Sequence, residues 1–173
     1  VGWLYIEKIQ KLIEKYGAET YNKLKEPIFF INEIIGFKDE PYKLTNYQEE
    51  WIKLVDGTDY DRFNFAAFRS SGKTETLLID YPIFKAFTQT GWQGIITSNS
   101  QKQSISILRR IRETILGNEI LRTSVPSAKE GLWSKTELQL KNGSIIWSKP
   151  RNENLPGEHV NYVGNDETGY EKD

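Results

Sequence analysis

The stretch FAAFRSSGKTET, Phe65 to Thr76, ends in Gly72-Lys73-Thr74, a combination suited to gripping phosphate. In such a loop successive backbone N–H groups and a helix N-terminus point at the phosphate oxygens, the lysine neutralises them, and the threonine hydroxyl ligates Mg²⁺. The usual G-x-x-x-x-G-K-[ST] pattern wants glycine where this chain has Ala67. A methyl group there is a small perturbation if φ is negative. Ser70 and Ser71 complete the loop, and Arg69 stands at its crown. An arginine in that place faces the phosphates and can stabilise charge on a transferring phosphoryl group.

Far downstream, HVNYVGNDE closes on Asp166 and Glu167. The first carboxylate can hold Mg²⁺ through water, and the second can orient and deprotonate an attacking water. Upstream, the amide of Gln48 in NYQEEW offers a donor and an acceptor to an adenine edge. The single histidine, His159, has no partner at ligand spacing and is assigned no metal.

These groups need a scaffold that brings both ends of the chain to one place. FNFAAF has the apolar, β-rich character of a buried strand, and it leads through the glycine loop into a helical stretch, TETLLIDYPIFKAF. GWQGIITSN predicts a second strand, and SQKQSISILRRIRETIL a helix with an Ile105, Leu108, Ile111, Ile115 stripe. TELQLKNGSIIW predicts two short strands joined by a type I′ turn at Asn142-Gly143. HVNYVGNDE is then a third sheet strand, with FNFAAF expected beside it. Ahead of the loop, spacing predicts helices over residues 3–16, ending at Gly17, over Glu26 to Ile35, with Pro27 in the first turn and Gly36 at the end, and up to Val55 from a cap at Thr45 or Asn46.

Composition sets the outer limits. The 173 residues are 38% hydrophobic, enough for one core. With 23 basic against 24 acidic residues, the overall charge gives no argument for nucleic acid or membrane partners. Lys102, Arg109, Arg110 and Arg112 share one predicted helix, whose default reading is a solvated basic face. The absence of cysteine leaves no disulfide framework and no thiolate metal site.

In order along the chain, YQEEW, the arginine-containing RSSGKT, GIITSNSQKQSISILRRIR, and LKNGSIIWSKP followed by LPGEHVNYVGNDE resemble the ATPase domain of the large terminase subunit, the motor of viral DNA packaging. The resemblance spans roughly residues 40 to 168. It implies an α/β three-layer P-loop NTPase fold of the ASCE type with a mainly parallel sheet, preceded by amino-terminal helices. Residues 1–39 would be that helical segment and 40–173 a P-loop ATPase domain incomplete at its carboxy end.

The implied catalytic residues are Glu167, Lys73 and Arg69, the last matching the family's Walker A arginine. ATP would be bound by Gln48, Arg69, Ser70, Ser71, Gly72, Lys73 and Thr74, and Mg²⁺ by Thr74 and Asp166. Further implications are double-stranded DNA as a partner, a portal and a small terminase subunit, a homo-oligomeric ring when active, and residence in the cytoplasm of an infected or lysogenic host cell. A nuclease domain follows the ATPase domain in that family. Two alternatives share the motifs: a superfamily-2-like helicase core, and a nucleotide-binding regulatory module without turnover.

Overall fold

A computed structural model of the chain describes residues 10–36, 42–60, 62–126, 133–150 and 160–166. Residues 10–16 are helical and stop at Gly17, whose φ of 55° is the left-handed conformation glycine adopts without a Cβ penalty. Pro27 opens the next helix, where its missing N–H costs nothing. That helix runs as an α-helix over Pro27–Phe30 and widens to a π-helix over Ile31–Ile35 before Gly36. Its Phe30, Ile31, Ile34 and Ile35 share one core with Ile83, Leu108, Ile111 and Ile115. The Asn118 amide also donates to the Ile34 carbonyl at 2.7 Å. The amino-terminal helices and the motif-bearing part are therefore packed together.

Helix α1 spans Asn46–Gly57 and starts with a capping box, in which the Thr45 side chain serves the first turn while Gln48 reaches back. After it, residues 62–68 are extended and alternate in exposure, with Phe63, Phe65 and Ala67 half-buried. They make no ladder, so the expected FNFAAF strand exists only as an extended segment among the described residues. Ring contacts hold it instead, Phe65 with Trp51 at 5.9 Å and Phe68 with Tyr47 at 6.1 Å between centroids.

The helix after the loop is a π-helix over Thr74–Asp80 that continues without a break into α2, Tyr81–Thr88. Strand β1 is Gln93–Ser98, and Ser100 then caps α3, Gln101–Gly117, by accepting the Gln103 N–H. On α3 the buried residues are Ser104, Ile107, Leu108, Ile111 and Ile115, so Ile107 takes the place expected of Ile105. A short α4, Glu119–Arg122, precedes the hairpin β2, Glu137–Gln139, and β3, Ile145–Pro150, and β4 covers Tyr162–Asp166.

At the hairpin only Gly143 has positive φ, 81°, which excludes a type I′ turn. The Gly143 N–H donates to the Leu140 carbonyl and the Leu140 N–H to the Ser144 carbonyl, a three-residue connection with glycine at its left-handed position. The Asn142 amide is drawn off to the Ala86 carbonyl at 2.8 Å, fastening the turn to α2. That tertiary bond outweighs the local preference of the dipeptide.

The sheet order is β2-β3-β1-β4, with β1 parallel to both neighbours and β2 antiparallel to β3. This is a mixed α/β architecture with a mostly parallel sheet. Register puts Ile96, Ser98, Ile146, Ser148, Gly164 and Asp166 on one face. That face receives the helices: Ile96 and Ile146 join the common core, and the Ser148 hydroxyl donates to Ser104 of α3 at 2.9 Å. The other face carries Ile95 and Thr97, both buried, and Val163, 47% exposed. The Ser148–Ser104 and Tyr162–Leu77 hydrogen bonds place α3 and the helix after the loop on the first face. No helix among them is long and apolar enough to cross a membrane.

Candidate functional site

The lower half of the loop is tightly held. Ser71 is buried, and its carbonyl accepts from Tyr47 Oη and from Gln48 Nε2, each at 3.1 Å. Gly72 has φ of 80°, and a Cβ there would lie 2.3 Å from Gln48 Nε2, so conformation and close approach both require glycine. The Thr76 N–H donates to the Gly72 carbonyl at 2.8 Å, continuing the loop into the helix. Lys73 Nζ lies 3.5 Å from the Phe65 carbonyl, folded back along the extended segment.

Thr74 and Asp166 meet. Thr74 Oγ1 donates to Asp166 Oδ1 at 3.0 Å across 92 positions of sequence. Strand β4 brings this about with alternate residues of one face. Gly164 has no side chain to collide with Leu78 Cδ2, which would lie 2.4 Å from a Cβ at that position. The Tyr162 hydroxyl donates to the Leu77 carbonyl at 2.6 Å. At the back of the same helix, Tyr42 Oη donates to the buried Asp80 at 2.7 Å. Burial, and next the Asp80 charge, push the Tyr42 phenol far above its ordinary pKa, keeping it a donor.

A cleft of about 910 Å³ separates the extended segment from β4 and is lined by Asn64, Phe65, Lys73, Leu78, Asn165 and Asp166 among others. FNFAAF therefore faces β4 across an opening rather than lying beside it as expected. Both segments supply walls of the site, and β4 takes its described ladder from β1 alone.

The crown differs from the root. Phe68, Arg69 and Ser70 are exposed, and Ser70 holds φ of 65°, the one described non-glycine residue with positive φ. Gln48 lies at the loop, but both ends of its amide are engaged, Nε2 with Ser71 and Oε1 with the Thr45 N–H at 2.9 Å. In this form it is a clamp on the loop rather than a group presented to a base. Glu167 and His159 lie outside the described residues.

On α3, Arg110 pairs with Glu75, Arg109 with Glu113 at 3.7 Å, and Arg112 donates to the Ser134 carbonyl. Three of the four basic residues singled out there are thus partnered within the chain. Sequence reading did not find Tyr47, Tyr162 or Gly164. Tyr47 was accessible as a neighbour of Gln48; the other two acquire meaning only once β4 is laid on the helix.

Among the described residues no cluster of three or more histidines, cysteines or carboxylates could cage a metal ion. The oxygen pair of Thr74 and Asp166 still suits Mg²⁺, which typically takes one or two carboxylates and fills its shell with substrate phosphates and water. Comparison of the sequence with family models and with curated proteins finds no match. Geometry and motif order therefore carry the functional reading.

Proposed function

We propose that this chain binds ATP with Mg²⁺ at Lys73, Thr74 and Asp166, and that it is the ATP-hydrolysing P-loop domain of a large terminase, the motor that drives double-stranded DNA into a capsid. One observation carries the nucleotide reading: the 3.0 Å contact between Thr74 of the glycine loop and Asp166 at the end of a parallel strand. A hydroxyl and a carboxylate in these positions, next to a loop lysine, make a phosphate and metal site from parts that have no local reason to meet.

Thr74 and Asp166 would hold Mg²⁺, whose charge, when bound, neutralises phosphate oxygens. Lys73 leaves the Phe65 carbonyl to reach the β and γ oxygens, and Ser70, Ser71 and Gly72 supply the loop around them. Arg69, exposed at the crown, is free to turn inward as charge develops on the phosphoryl group. Glu167, the residue after Asp166, orients the water and takes its proton. The terminase assignment, with its ASCE fold, DNA, portal and small-subunit partners and ring assembly, rests on the ordered motifs.

Equilibrium binding of ATP with and without Mg²⁺, followed by phosphate release with and without double-stranded DNA, tests this. The expected result is Mg²⁺-enhanced binding, and hydrolysis that falls about 10²-fold or more in Glu167→Gln with binding retained. Absence of ATP binding would contradict the nucleotide site. Binding without turnover, with or without DNA, would favour the regulatory module.

A further inference from the structure

The helix after the loop is a π-helix, and its sequence supplies the cause. Proline lacks an N–H, and its ring clashes with the carbonyl four residues back, so a helix approaching proline from upstream is displaced from α geometry. Pro82 stands two residues beyond the π segment Thr74–Asp80, inside the first turn of α2. The N–H of Tyr81 is given to the Thr76 carbonyl, five residues back. Continuing that pattern by one residue, the donor for Leu77 would be Pro82, which has none. An unpaired carbonyl inside a core is costly, and here a side chain takes up the role: the Tyr162 hydroxyl donates to Leu77 at 2.6 Å.

That bond lies on the same strand face as the metal ligand. Tyr162, Gly164 and Asp166 project from alternate positions of β4 and meet Leu77, Leu78 and Thr74 of the helix. The tyrosine ring is wedged between Tyr81, 5.6 Å away, and Trp92, stacked at 6.1 Å. Gly164 allows the strand to approach but gives no direction to the contact. Tyr162 does give one, because its hydroxyl has a single carbonyl to reach. Burial raises its pKa well above the ordinary value, so it stays a protonated donor across the physiological range.

We propose that Tyr162 is a positioning residue of the site: by capping the Leu77 carbonyl that Pro82 leaves open, it fixes how β4 sits along the loop helix and so sets Asp166 opposite Thr74. This role rests on the Mg²⁺ and ATP reading above. It makes the π-helix part of the site's construction, with a proline in the helix and a tyrosine on the strand acting as one device.

The test is equilibrium ATP binding by the 173-residue chain, with and without Mg²⁺, in wild type and Tyr162→Phe. Loss of the hydroxyl should shrink the gain in affinity from Mg²⁺ about five- to tenfold while leaving Mg²⁺-free binding unchanged, because only the metal needs both elements in register. Retention of the full Mg²⁺ gain overturns the role. So does an equal loss with and without Mg²⁺, which is the signature of general structural support. Should Tyr162→Phe fail to fold, Pro82→Ala reads the same geometry with the tyrosine intact. Its new N–H competes for the helical carbonyls, and the Mg²⁺ gain should fall likewise; an unchanged gain there overturns the proposal. A wild-type chain that binds no ATP under either condition overturns the nucleotide reading and this role with it, whereas normal wild-type behaviour with an indifferent Tyr162→Phe removes the tyrosine's role alone.

Discussion

The root and the crown of the glycine loop are built in opposite ways. At the root, Ser71 is buried with its carbonyl doubly accepted, Gly72 is pinned by conformation and by Gln48, and Thr74 is bonded to Asp166. At the crown, Phe68 is 70% exposed, Arg69 is exposed, and Ser70 sits in a left-handed conformation that a serine adopts at a cost. A rigid root holds ligand-binding groups in place before the ligand arrives, so little ordering entropy is spent on binding. An open crown can still move, which suits a group whose contact strengthens only as charge develops. Binding should therefore depend on the root and turnover on the crown.

The largest expected effect is at the root. Lys73→Ala removes the one loop ammonium, and ATP affinity should drop by about 10²-fold or more in a folded protein, as read by equilibrium titration. Unaltered affinity would erase the distinction, since the root would then contribute nothing to binding.

Arg69→Ala should reverse the pattern. ATP binding should change by less than about threefold while single-turnover hydrolysis slows by at least about tenfold, the split expected of a contact made in the transition state. A change confined to KM would place Arg69 with the root residues and end the contrast.

The smallest effect belongs to Gln48. Gln48→Ala removes half of the capping box and one bond to Ser71, costing about 1 kcal/mol in stability by chemical denaturation. Discrimination between ATP and GTP should stay the same, because the amide is spent on the protein. A collapse of that discrimination would restore the base-reading role and show that the clamp opens when nucleotide binds.

The parts legible in the sequence are those with a local cause. Helix starts at Thr45 and Pro27, the left-handed Gly17, the strands β1 and β4, and the glycine loop followed by a helix all follow from residue types within a few positions. Motif spacing also nominated Thr74 and Asp166, although only the fold puts them in contact.

The errors have non-local causes. FNFAAF has strand composition, but a strand needs a partner for its ladder, and aromatic packing on α1 took that place. Asn142-Gly143 favours one turn type in isolation and adopts another because α2 and Gln89 just after it each offer the asparagine a carbonyl. Gln48 is not among them: its amide is engaged with the backbone here, and an amide can serve adenine equally well. Pro82 within a helical pattern was a readable sign of altered geometry, yet nothing in the sequence tied it to a tyrosine eighty residues away.

The central claim is that Thr74 and Asp166 form one Mg²⁺-dependent ATP site, and a double-mutant cycle on Thr74→Ala and Asp166→Asn measures it most directly. ATP affinity is determined with and without Mg²⁺ for the wild type, both single variants and the pair. Each single variant should lose most of the Mg²⁺ gain, about tenfold or more, and the double variant should be scarcely worse than either, because both remove parts of one metal shell. Additive losses, or a Mg²⁺ gain that survives in Asp166→Asn, would contradict a shared site.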